Sequence, residues 1–276
     1  MSVIRRIFRT QRILVMLAFT LASCSSSGVP AATPTTVTPV TLRVYATSAA
    51  VPLVNDLTSA YMLTHPGVTF DVGHGNFDAL LARVRRGEIP YFVSNHLPSD
   101  FDLWAAPIGQ DGIAVIVHPQ NPIGGLSTVD LRSIYQGRET GWSVFGGRDL
   151  PIQVFSREAG SGTRQEFENQ VLGDRRITLS ARVAPSGSAM ITSVSRSENA
   201  IGYASFSYLN DRVRPLPVNG IEPTLANVLN NTYPLRTFLY FVGMSEPQDD
   251  YRAFIGWVQS PEGQAVVSRR YAPLFP

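Results

Sequence analysis

The sequence of 276 residues contains no lysine; all 23 basic residues are arginine. That excludes Schiff-base chemistry, a catalytic lysine and a Walker-type phosphate loop. The single cysteine, Cys24, excludes an internal disulfide framework and a cysteine-rich metal site. The four histidines, His65, His74, His96 and His118, include no His-Glu-x-x-His pair, so no zinc site is expected. Ser161 lies in Ala159-Gly160-Ser161-Gly162-Thr163, which is not the nucleophile elbow of an exported hydrolase. No metal, no cofactor and no catalytic residue are expected, and the chain does not read as an enzyme. Charged residues make up 16% of the chain, against about 25% in an average soluble protein. The hydrophobic fraction is an ordinary 44%, enough for a sizeable core and too much for a disordered chain.

What is present first is a targeting signal. Arg5, Arg6, Arg9 and Arg12 precede the short apolar stretch Ile13–Phe19, which ends in Leu21-Ala22-Ser23-Cys24. A basic start, a short apolar run and small residues at its end describe a secretory signal. The run is too short for a membrane span, which takes about 20 residues. Its end resembles the bacterial lipobox, which implies lipidation of Cys24 and more than one acyl chain, since one chain alone holds a membrane weakly. Residues 1–23 are therefore expected to be a lipoprotein signal peptide. Cleavage there leaves 253 residues, with 19 arginines against 21 acidic residues and a net charge of −2. A mildly acidic exported domain has no broad electrostatic reason to bind nucleic acid. Residues 24–39, rich in Ser, Thr and Pro and free of charge, read as a flexible tether.

From Val40 onward the patterns alternate between strand and helix. Thr41–Tyr45 alternates as a strand, and Pro52 suits the first turn of a helix whose face is Leu53, Val54, Leu57 and Tyr61. Val68–Val72 and Tyr91–Val93 read as strands around a helix with Phe77, Leu80, Leu81 and Val84 on one face. Further strands are expected at Ile113–Val117, Ile152–Phe155, Ile201–Ala204 and Leu239–Val242, with helices at Thr128–Tyr135, after Gly162 and across Tyr251–Tyr271. The alternation points to an α/β fold with mostly parallel sheets. The length points to two lobes.

Three strand-to-helix turns carry the functional signal. In Phe155–Phe167 a strand ends in Arg157, and Gly160-Ser161-Gly162-Thr163 leads into a helix. Hydroxyls, glycines that let backbone come close and a guanidinium able to fork an oxyanion suit an anion. The same turn also fits a capping box of Thr163 with Glu166, which needs no ligand. Thr47-Ser48-Ala49 and Gly73-His74-Gly75-Asn76 are polar in the same way and read equally as N-caps. Ligands of open α/β sheets sit beyond the carboxyl ends of strands, where all three turns lie. Convergence on one cleft is the joint expectation.

The order of short motifs resembles a known family. Arg157–Thr163, Asp111–Val117, Asn121-Pro122, Ile134–Gly137, Trp142, Ala200–Tyr203, Tyr233–Leu235 and Ser260–Gln264 are similar, in sequence order, to the PstS-like phosphate-binding lipoproteins of bacterial ABC importers. These are type 2 periplasmic binding proteins. The resemblance implies a two-lobed periplasmic-binding-protein-like fold, each lobe a mostly parallel sheet flanked by helices, with two hinge crossovers. It places the first part of lobe 1 at 40–117, lobe 2 at 118–216 and the return of lobe 1 at 217–276, with crossovers near Val117–Asn121 and Arg214–Asn219. It implies capture of inorganic phosphate by Arg157, Ser161, Gly162 and Thr163 from one lobe, faced by Thr47, Ser48, His74, Ser94 and Asn95 from the other. Delivery to ABC permease subunits, an extracytoplasmic lipid-anchored location and a monomeric state follow from the same resemblance. The first lobe departs from the pattern: Pro90 stands where the family carries an aspartate, and Ser94-Asn95-His96 follows. A carboxylate there would favour a protonated oxyanion, and a neutral side chain does so less strongly. A binding protein for sulfate, molybdate or tungstate, and a sensory or interaction role on the same fold, are the alternatives.

Overall fold

The computed structural model describes residues 39–98 and 102–275. The expected signal peptide and Cys24 lie outside the described residues, as does nearly all of the expected tether. The first strand, β1 (Val40–Thr47), alternates between buried and exposed side chains. A single 3-10 turn (Ser48–Ala50) leads into α1 (Val51–Thr64), which has Pro52 in its first turn and buries Leu53, Val54, Leu57 and Tyr61. Next come β2 (Val68–Gly75), α2 (Phe77–Arg85) and β3 (Tyr91–Ser94). Asn76 caps α2 by accepting from Ala79 N at 2.9 Å, and Gly87 ends it at φ 70°, where a side chain would strain the backbone.

The long strand β4 (Trp104–Val117) joins the two lobes. Its first half pairs antiparallel with β9 (Arg236–Gly243), and its second half pairs antiparallel with β7 (Ala200–Ser205) and β8 (Arg214–Leu216). Between them lie α3 (Thr128–Tyr135), β5 (Gln153–Arg157), α4 (Gly162–Phe167, continued as a π-helical turn to Leu172), β6 (Arg182–Ala184) and α5 (Gly187–Val194). The short α6 (Leu225–Leu229) precedes β9, and α7 (Asp249–Val258) and α8 (Pro261–Val267) close the described chain. The strand order is β2-β1-β3-β9-β4-β7-β5-β6. The strands that carry the polar turns run parallel: β1 beside β2 and β3, and β5 beside β6 and β7. Among the described residues, no helix is long and apolar enough to cross a membrane.

Separate hydrophobic cores define the lobes. The first lobe is built on Leu42, Val44, Leu53, Phe241 and Phe254, with a satellite around Phe77 and Phe92. The second takes in Ile113–Val117, Trp142, Phe167 and Tyr203, and also Val218, Val228, Tyr233 and Leu235. The chain therefore passes between cores at Asp111-Gly112 and at Leu235-Arg236. This corrects crossovers near Val117–Asn121 and Arg214–Asn219: β4 changes partner in mid-strand, and residues 217–235 complete the second core rather than returning to the first. The expected helix across Tyr251–Tyr271 is two helices, because Ser260 caps a new one with Pro261 at its first position.

Candidate functional site

The carboxyl ends of β1, β2, β3, β5 and β6 meet across the boundary between the lobes. Asp78 N donates to Gly160 O at 3.3 Å, and Gln165 Nε2 donates to Asp78 Oδ1 at 3.2 Å. Asn95 Nδ2 donates to Thr163 Oγ1 at 3.3 Å. His96 Nδ1 pairs with Glu166 Oε1 at 2.7 Å. On the other flank Gly187 N donates to Ser48 Oγ at 3.1 Å, and Tyr208 OH to Ser48 O at 2.6 Å. The lobes are closed upon each other. Beside this seam runs a groove of about 530 Å³ lined by Ser48, His74, Asn76, Arg157, Glu158 and Tyr208, among others.

Each expected site residue has a definite place. Thr47, Asn95, Arg157, Ser161 and Thr163 are all buried. Thr47 ends β1, one step beyond the Ala46–Val93 pair of the β1–β3 register, so it stands beside Ser94. Its Oγ1 is buried without a partner, and so is Asn95 Oδ1. Ser161 is the N-cap of α4, its Oγ accepting from Arg164 N at 3.4 Å. This replaces the expected Thr163–Glu166 capping box: Glu166 turns to His96 across the seam, and Thr163 is left to meet Asn95. Gly162 has no positive φ; it is there for closeness. A Cβ on it would stand 3.1 Å from both Asn95 Oδ1 and His96 Cβ. His74 is exposed and lines the groove, outside the buried group.

Two expectations are corrected. Ser94 Oγ donates to His96 O and accepts from His96 N, both at 3.0 Å. Its one proton is thereby engaged in its own turn, so it offers no donor to a ligand. Arg157 does not present its fork to an anion either. Its Nε and Nη2 bind Glu158 Oε2 and Oε1 at 2.9 and 3.0 Å, and Nε also donates to Ala184 O at 3.1 Å. Among the described residues only Nη1 is left without a protein partner, on a side chain that lines the groove. The Arg–Glu pair is nearly neutral as a unit, so Arg157 brings one oriented donor rather than a free charge.

The support behind Arg157 comes from Tyr203, whose hydroxyl accepts from Arg157 N at 3.3 Å and bonds Ser156 Oγ at 2.9 Å. Tyr203 stacks on Phe167 at 4.0 Å, and burial pushes its phenol up to about 12, so it stays neutral. Its role joins packing, which its sequence position suggests, to the positioning of Arg157, which it does not. The turn Pro185-Ser186-Gly187-Ser188 is a fourth polar strand-to-helix turn at the seam. It carries the same signature as the Ser161 turn, an N-cap serine after a short strand.

The geometry is matched by similarity. Residues 30–262 match the PBP superfamily domain. The phosphate-binding protein PstS of Bacillus subtilis is 25% identical over 242 residues, covering 84% of this chain and 80% of that protein. PstS of Pseudomonas aeruginosa is 32% identical over 195 residues, 62% of this chain and 60% of that one. The structure of a putative phosphate ABC transporter substrate-binding protein from Clostridium perfringens, with bound phosphate, superimposes with a TM-score of 0.81 at 30% identity, covering 85% of this chain and 99% of that chain. The two closed α/β lobes, linked through β4 and β9, are thus an expected architecture within a known family, and the chain belongs to the PBP superfamily.

Proposed function

We propose that the protein captures inorganic phosphate outside the cytoplasm and hands it to the membrane subunits of an ABC importer, with no catalytic step. One observation carries this reading: Thr163 of the second lobe meets Asn95 of the first at a closed seam, the buried Arg157 lines the groove beside it, and Thr47 Oγ1, next to the Ser48 latch, is buried and unpaired. A buried donor without a partner costs about 1–3 kcal/mol, and a tetrahedral oxyanion supplies the missing acceptor. The names of the Bacillus and Pseudomonas relatives and the phosphate in the Clostridium structure support the same ligand. Thr47, Ser161, Thr163 and Arg157 Nη1 are the proposed donors, and Gly162 lets the lobes approach. Ser48 and His74 line the approach, with Ser48 also latching the lobes. Residues 1–23 are proposed as signal peptide, Cys24 as the lipidated anchor and 24–39 as the tether that holds a monomeric binding domain near the permease.

Titration calorimetry with phosphate tests the reading. The wild-type protein should bind phosphate, and Arg157→Ala combined with Glu158→Ala, which removes the pair together, should weaken binding by tenfold or more, from a loss of about 1.5–3 kcal/mol per hydrogen bond to a charged group. Affinity unchanged in the double variant would remove Arg157 from the site.

A further inference from the structure

The contacts that hold the lobes together are mostly between neutral groups. Gly187 N with Ser48 Oγ, Tyr208 OH with Ser48 O, and Asn95 Nδ2 with Thr163 Oγ1 involve no group that titrates near neutrality. One contact differs in kind. His96, just past the end of β3, meets Glu166 of α4 with Nδ1 at 2.7 Å from Oε1, and the two side chains are only 6% and 17% exposed. Of the ion pairs among the described residues, it alone joins the lobes; each of the others lies within one lobe.

The pair is held on its remaining sides. Phe77 of α2 meets the imidazole edge-on, with ring centroids 4.8 Å apart. Gln170 Nε2 donates to Glu166 Oε2 at 3.0 Å. The other charged and titratable groups around it are few. Asp78 of α2 is taken by Gln165, and Arg164 of α4 by Glu168 and Arg157 O. Arg236 and Tyr240 of β9 line the groove that Glu166 borders. Burial and the Glu166 charge push the Tyr240 phenol up, so it stays neutral. Of these side-chain types, only histidine ordinarily changes charge between about pH 5 and 8.

Closing the lobes takes the Glu166 carboxylate out of water. A charged imidazole compensates it; a neutral one still donates a hydrogen bond but leaves a net negative charge half-buried at the seam. That charge would stand close to the start of α4, since a Cβ on Gly162 would lie 3.1 Å from His96 Cβ. An arriving anion would be repelled by it. We propose that His96 and Glu166 are positioning residues that set closure by protonation: the charged pair holds the lobes shut, and loss of the imidazole proton loosens them. Closing takes up a proton, so phosphate is held more tightly in acid and released more readily above neutrality. The ligand in this inference rests on the reading above; the closure itself does not.

The test compares wild type, His96→Asn and Glu166→Gln at about pH 5 and about pH 8, the span over which histidine titrates. Asparagine keeps a donor in place of Nδ1 and cannot become charged; glutamine keeps an acceptor without the charge. Small-angle scattering without ligand reads closure, and calorimetry with inorganic phosphate reads affinity. Wild type should be more compact at the lower pH, and neither variant should change. Between the two pH values wild-type affinity should fall by about fivefold more than that of either variant, the gap between a charged and a neutral hydrogen bond. The titration of phosphate itself, of His74 and of Asp111 is common to all three proteins and cancels in that ratio. Parallel affinity profiles, or a wild type equally compact at both pH values, would overturn the latch. A wild type that binds no phosphate yet opens as pH rises would overturn the phosphate reading and uphold the latch.

Discussion

The second-lobe turn Arg157–Thr163 and the first-lobe strand ends at Thr47-Ser48 and Ser94-Asn95 carry similar side chains but are built differently. The second-lobe turn is closed on itself. Glu158 holds Arg157, Ser161 caps its own helix, and Arg164 Nη1 returns to Arg157 O at 3.0 Å. Ser94 apart, the first-lobe side chains are incomplete alone: Ser48 Oγ and Asn95 Nδ2 find partners only across the seam, and Thr47 Oγ1 finds none. One lobe is thus a preformed cradle, and the other is assembled by closure. Changes at the hinge, at the seam and on either side should therefore separate in sign and not only in size.

The largest effect is expected at the hinge. Asp111 lies where β4 changes partner. It is fully buried, with Oδ1 accepting from Gly112 N at 2.8 Å and Oδ2 unpaired. Burial pushes its carboxyl up to about 7, partly opposed by the nearby Ser205 hydroxyl and the Gly112 and Phe206 amides. An unfolded aspartate loses its proton near pH 4. Between pH 4 and 7 the folded protein therefore holds more protons than the unfolded one, so stability is highest below pH 4 on this account and falls as pH rises to 7. The upper bound of the loss is on the order of 4 kcal/mol. Denaturant unfolding at pH 5 and pH 8 should show this slope in the wild type and a flatter one in Asp111→Asn. An equal slope in both would place the proton uptake elsewhere and make the hinge an inert link between the two regions.

At the seam, Gly162→Val should weaken phosphate by about 100-fold, the effect of an overpacking cost near 3 kcal/mol. The branched side chain would meet Asn95 and His96 only in the closed state. Small-angle scattering should therefore show a more open protein, with the second-lobe core intact by melting. A closed variant with normal affinity would show that the seam has slack.

Much of this architecture was legible beforehand, and the failures have physical causes. Thr128–Tyr135 was bounded correctly because Ser127 and Asp130 form a capping box at its start. The strands around Ile113, Ile201 and Leu239 were legible as apolar runs between turn residues. The first half of β4 was not, because Pro107, Gly109 and Gly112 interrupt the pattern and the register shifts between Pro107 and Gly109. β6, three residues long, was too short to stand out. In the site, residue types were readable but their engagements were not. Nothing local distinguishes Ser94, tied into its own turn, from Thr47, left free. The Glu158 clamp on Arg157 was adjacent in sequence and still ambiguous, since a neighbouring carboxylate can as easily face solvent.

The cradle and the assembled side part most clearly in a pair of matched substitutions. Thr163→Val removes a hydroxyl that already serves the protein, leaving Asn95 Nδ2 without its acceptor. It should lower the ligand-free melting temperature and weaken phosphate by about tenfold, a cost of about 1–2 kcal/mol in each case.

Thr47→Val removes a hydroxyl that serves nothing until a ligand arrives. The replacement fills the same volume and relieves a buried unpaired group, so the ligand-free protein should be stabilised, by about 1 kcal/mol. Phosphate affinity should nevertheless fall by about tenfold, through loss of one hydrogen bond to a charged group. Stability and affinity thus move in opposite directions in the first lobe and together in the second. Thermal melting without ligand and calorimetry with phosphate read the two quantities separately. A Thr47→Val protein that melts lower than wild type would mean that its hydroxyl has a structural partner, and the contrast between the lobes would then be lost.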